Sequence, residues 1–130
     1  FIALGCVIKG QTPHFDFISQ ASTNAIMEIS KSYSIEIINV PGVFEIPVAI
    51  SKNINKFHGF LALGCVIKGK TPHFNFISKS STDAIMNLAI ENKKPIGNGI
   101  ITCLNMKQAI ERQKKGKEAA IAVLSILSLK

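Results

Sequence analysis

Two stretches, FIALGCVI at 1–8 and FLALGCVI at 60–67, are unbroken apolar runs of strand length. Neither alternates with polar residues, so each fits a strand covered on both faces, as in a parallel sheet held between layers of helix. Each run leads into a glycine-containing loop, KGQTP or KGKTP, and then into a segment with helical spacing. In the second segment Ile77, Ser81, Ala84, Ile85 and Leu88 recur at that spacing. The Thr-Pro before it predicts a helix start, with Thr71 as cap and Pro72 at the first helical position.

The two runs belong to a longer repeat. Residues 1–30 and 60–89 align without gaps at 21 identities. The repeat stops there, which excludes a solenoid, where several units share one core. Between the copies, residues 35–40 predict a strand, Pro41–Gly42 a turn, and Pro47 the start of a helix to about residue 55. After the second copy, IGNGIITCL predicts a further strand. Asn105 followed by Gln108 resembles a capping box and opens a C-terminal helix to about residue 129. The order is βαβαβαβα. That order predicts one α/β domain over 1–130, a parallel sheet with helices on both faces and right-handed crossovers. Ligands of such sheets sit beyond the carboxyl ends of the strands, which points to the loops 9–14, 41–45, 68–73 and 102–105.

Composition narrows the partners. Hydrophobic residues make up 47%, which excludes a disordered chain. A net charge of +7 favours anionic partners such as phosphates. The basic residues are scattered except for RQKKGK at 112–117, and no nucleic-acid-binding motif is present, so no nucleic-acid partner is expected. Cys6, Cys65 and Cys103 lie inside apolar runs without metal-ligand spacing and read as small core residues in a reducing compartment. No basic leader precedes FIALGCVI, and the longest apolar run, at 119–129, is too short to span a bilayer. A cytoplasmic location and no membrane partner are the expectation.

Three of the segments carry candidate chemistry. In KGKTPH at 68–73, Gly69 lets the backbone approach a ligand, and the amides of Gly69, Lys70 and Thr71 lead into a helix N-terminus, a ready anion site. His73 follows, a group that transfers protons near neutral pH, although a histidine here also fits a plain surface or capping role. In VPGVFE the turn presents Val43, Phe44 and Glu45, either to a polar ligand or as a loop with one buried aromatic. On a helix Arg112 and Lys115 share a face and can clamp a phosphate, or simply form a solvated basic helix end.

Taken together, VPGVFEIP (40–47), ALGCVIKGKTPHF (62–74), IGNGIIT (96–102), QAIER (108–112) and KGKEAA (115–120) resemble the lumazine synthase family, in family order. The resemblance implies a flavodoxin-like three-layer fold with a four-stranded parallel sheet. It implies condensation of 5-amino-6-ribitylaminouracil with 3,4-dihydroxy-2-butanone 4-phosphate to 6,7-dimethyl-8-ribityllumazine, without metal or cofactor. It further implies a homo-oligomer, a pentamer or a multiple of it, with sites between subunits. His73 then matches the general acid/base, and Gly69, Lys70 and Thr71 the phosphate loop. Val43, Phe44 and Glu45 match ribityl and ring contacts, and Val66 and Ile67 the lining of the ring pocket. Asn98, Gly99 and Ile100 match the segment a neighbouring subunit brings, Arg112 the phosphate-binding arginine and Lys115 the lysine of the KG element.

The chain departs from the family pattern in three places. Lys70 stands where the family usually has an acidic residue. About five residues fewer separate Arg112 from Lys115, and a continuous helix through both would keep them close. Copy one of the repeat replaces the usual first strand. Copy two therefore receives the phosphate loop and the base. Copy one is expected to supply the first strand and helix, with Phe15 near the ring and His14 a spectator. A non-catalytic flavin- or lumazine-binding or shell-forming relative is the alternative, and a generic phosphosugar-binding module a weaker one.

Overall fold

The structure is a computed structural model and describes residues 2–5, 23–31 and 33–129, with side chains described from residue 23 onward. Strand β1 (Ile2–Gly5) is followed by helix α1, seen over 23–30, then β2 (Glu36–Asn39). A single 3-10 turn (Val43–Glu45) runs directly into α2 (Ile46–Asn53). Then come β3 (Phe60–Ile67), α3 (His73–Asn92), β4 (Ile96–Cys103), α4 (Met106–Glu111) and α5 (Lys115–Leu127).

The strands pair in the order β2-β1-β3-β4, and every pairing is parallel. Copy one of the repeat therefore contributes β1 beside β3 of copy two, with Ile2 opposite Phe60 and Leu4 opposite Ala62. Side-chain alternation along β3 and β4 feeds both faces of the sheet. Phe60, Ala62 and Ile100 pack with Val43, Ile46, Ile50 and Ile85 under α2 and α3. Leu61 and Leu63 pack on the opposite face with Ala25 and Ile29 of α1 and with Ala119, Ala120 and Val123 of α5. Farther along that face Ile101 and Cys103 meet Ala109 of α4.

Small residues bring α5 close to β4. A Cβ at Gly97 would lie 2.6 Å from the Ala119 carbonyl oxygen, and one at Gly99 would lie 3.3 Å from the Gly116 Cα. Both glycines are buried, and larger side chains there would push the helix off the sheet.

Three expectations need correction. The helix after copy two begins at His73 with Pro72 as its cap, and no side-chain cap forms at its start. The backbone carbonyl of Pro72 accepts from the amides of Asn75 and Phe76 instead. The helix expected near Pro47 to about residue 55 runs from Ile46 to Asn53. The C-terminal helix is not continuous: it breaks at residues 112–114 between α4 and α5. Asn105 does cap α4, its Oδ1 accepting from the Gln108 amide at 2.9 Å, while Gln108 Oε1 accepts from the Leu104 amide at 2.8 Å rather than from the cap residue's own. Among the described residues no helix is long and apolar enough to cross a membrane.

Candidate active site

The loops after β2 and β3 meet at the carboxyl end of the sheet. The turn after β2 is tight: the Glu45 amide donates to the Gly42 carbonyl at 3.2 Å. Val43 is buried in the core below, and this anchor leaves Phe44 and Glu45 to face outward. Phe44 is 58% exposed, which removes the reading of a loop with one buried aromatic. An exposed phenyl ring costs hydrophobic free energy unless a ligand or partner covers it. The carboxylate of Glu45 folds back over Gly42: a Cβ there would lie 2.8 Å from Glu45 Oε2.

His73 opens α3 opposite this turn. Gly42, Val43, Phe44, Glu45, His73 and Ile77 line one open cleft of about 410 Å³, within the size range of small-molecule sites. The cleft thus offers an aromatic face, a carboxylate and an imidazole. Ile77, one helical turn beyond His73, forms its apolar floor.

The loop between β3 and α3 stands at the same end. Its first amide, that of Lys68, donates to the Cys103 carbonyl at 2.9 Å and fastens the loop to the end of β4. Beyond it, Gly69, Lys70 and Thr71 are exposed. Among the described residues none of their amides has an acceptor within the protein. Gly69 has no positive φ, and a Cβ there would meet nothing within 4 Å. Neither conformation nor internal packing therefore demands glycine at 69. Close approach of a ligand to the backbone remains as a reason for it.

A second cleft of about 360 Å³ is lined by Thr102, Glu111, Arg112, Lys114, Lys115 and Glu118. Arg112 is positioned by its Nη1, which donates to the Thr102 carbonyl at 2.8 Å. Arg112 and Lys115 therefore share a cleft, as expected, but across a helix break rather than along one helix. None of the residues lining this cleft lines the His73 cleft.

The remaining expected residues lie elsewhere. Val66 packs towards the α2 and α3 side, whereas Ile67 packs on the opposite face with Met106 and Ala109, so the two side chains do not line one pocket. Asn98, Gly99 and Ile100 stand in the middle of β4 and line neither cleft. Ile100 is core, and Gly99 faces α5. Asn98 Oδ1 accepts from the Ile100 amide at 3.1 Å, closing a donor that the β3 ladder does not use. Phe15 and His14 of copy one, and Cys6, lie outside the described residues. Burial, helped by the adjacent Cys103, pushes the Cys65 thiol from 9.0 up to about 12. It stays protonated at neutral pH and is no nucleophile, in keeping with a core role. Gly42, Thr102 and Lys114 were not anticipated as lining residues. Each falls in a segment the sequence marks only as a whole: the 41–45 loop, the 102–105 loop and the basic run 112–117.

The sequence model of the 6,7-dimethyl-8-ribityllumazine synthase family matches residues 1–39 and 30–130. The chain is 40% identical to the 6,7-dimethyl-8-ribityllumazine synthase of Bartonella tribocorum over 123 residues, covering 88% of this chain and 80% of that protein. The enzyme of the same name from Agrobacterium fabrum is 39% identical, covering 88% and 84%. That from Bartonella bacilliformis is 43% identical, covering 82% and 76%.

Proposed function

The chain belongs to the 6,7-dimethyl-8-ribityllumazine synthase family, and we propose that its His73 cleft condenses 5-amino-6-ribitylaminouracil with 3,4-dihydroxy-2-butanone 4-phosphate. The observation that carries this reading is the meeting of an exposed phenyl ring, a carboxylate and an imidazole in one cleft. The pyrimidine ring stacks on Phe44, and Glu45 with the adjacent amides accepts and donates to the ribityl hydroxyls. The amine of the pyrimidine attacks the ketone and water leaves as the imine forms, phosphate is then eliminated, and ring closure expels a second water. His73 moves protons at the steps that need them. The rest of the rate comes from holding two reactants side by side.

The phosphate end of the second substrate lies against the amides of 69–71, which have no acceptor among the described residues. Arg112 completes its binding from a second copy of the chain, since Arg112 and His73 line separate clefts within one copy. A homo-oligomer, a pentamer or a multiple of it, follows. Copy one of the repeat acts structurally, as the strand between β2 and β3, and the chemistry belongs to copy two. The protein works in the cytoplasm. Mixing the two substrates with the protein should give the absorbance and fluorescence of the lumazine, with one inorganic phosphate released for each molecule formed. Binding of a substrate analogue without product would replace this reading with that of a non-catalytic, lumazine-binding relative.

A further inference from the structure

The break between α4 and α5 has brought a third cation to the phosphate cleft. On an uninterrupted helix Lys114 would stand about 200° round from Arg112, on the far side of the cylinder. The chain instead turns at 112–114, where the Lys115 amide donates to the Arg112 carbonyl at 3.0 Å and α5 begins at Lys115. Gly116 lies against Gly99 of β4 and fixes where that start must be. Lys114 stands between two clefts, lining that of Arg112 and Lys115 and also the neighbouring one of Glu28, Lys31 and Lys117.

The charge in this cleft is uncommitted. Among the described residues none of Arg112, Lys114 and Lys115 forms an ion pair, although Glu111 and Glu118 also line the cleft. Lys117, one residue beyond Gly116, behaves differently, with its Nζ 3.9 Å from Glu28 Oε2 outside this cleft. Set against Glu111 and Glu118, the three cations leave the cleft a net positive charge, which favours an anionic guest.

We infer that Lys114 is a substrate-binding residue: its ammonium contacts the phosphate of the sugar phosphate beside Arg112, and the shortened α4–α5 connection is what recruits it. The inference rests on the reading of this cleft as the phosphate end of the active site. Lys115 opens α5 next to Lys114, so the phosphate meets an arginine fork and two ammonium groups.

The test combines steady-state kinetics with direct titration by inorganic phosphate. Lys114→Ala and Lys114→Gln should raise KM for the sugar phosphate about threefold to tenfold and leave kcat within about twofold. KM for the pyrimidine should not move. Affinity for inorganic phosphate should weaken by the same factor, and Lys117→Ala, a control of equal charge change, should alter neither. Unchanged phosphate affinity in both Lys114 variants, with Arg112→Ala weakening it, would overturn the inference and leave the proposed reaction standing. A wild-type protein that binds phosphate through Lys114 but forms no lumazine would do the reverse. Circular dichroism separates either result from misfolding.

Discussion

The carboxylate of Glu45 can lie back over the turn only because Gly42 has no side chain. Gly42 is extended, with φ −158 and ψ 172, a conformation any residue adopts, so glycine is not needed there for the backbone. It is needed for room: an added Cβ would lie 2.8 Å from Glu45 Oε2. The obstructing atom is the free end of a flexible side chain, so Gly42→Ala should move the carboxylate rather than unfold the turn. The expected result is a rise of about threefold to tenfold in KM for the ribityl-bearing substrate, with Tm unchanged or slightly higher. A calorimetric scan beside initial-rate kinetics checks both. His73 and Phe44 could be nominated from sequence because their motifs name them. The service Gly42 performs for Glu45 could not, since it depends on where one side chain folds.

Helix ends show where local sequence speaks clearly and where packing overrides it. Asn105 and Gln108 announce the start of α4, and the Asn105 cap forms as the spacing suggests. The stop at Glu111 has no such announcement. Gln, Lys and Lys at 113–115 are good helix formers, and propensity alone would carry the helix through them. The break comes from tertiary contact, because α5 must reach the small residues of β4 at Gly97 and Gly99. The two glycines satisfy helix–sheet contact, which a motif does not reveal. At the other end of the sheet α3 stops in a Schellman motif, with the Lys94 amide donating to Ala89 and the Lys93 amide to Ile90. The residue in the left-handed conformation there is Lys93, with φ 52, where glycine is usual. Lys93→Gly should therefore stabilise the protein by about 1 kcal/mol, a gain of about 3 °C in Tm. A fall in Tm would mean that the Lys93 side chain contributes more than its backbone strain costs.

The layered arrangement itself was readable, because strand-length apolar runs alternating with helical spacing leave few folds to choose between. The repeat was readable too, and the structure places its first strand beside its second. How the two clefts combine was not, since no sequence pattern in one chain records which surface of another copy meets it. The His73 cleft offers a phenyl ring, a carboxylate and an imidazole, and the Arg112 cleft offers cations. A catalyst needs both within reach of one substrate. The most direct check is the rate of lumazine formation by oligomers co-expressed from two variants, His73→Ala and Arg112→Ala. Each variant alone should be slow, His73→Ala by about 10²–10⁴ in kcat. In mixed rings a random quarter of the interfaces pairs an intact His73 with an intact Arg112, so about a quarter of wild-type activity should return. A mixture no faster than its components, while the wild type turns over, would contradict a site shared between copies.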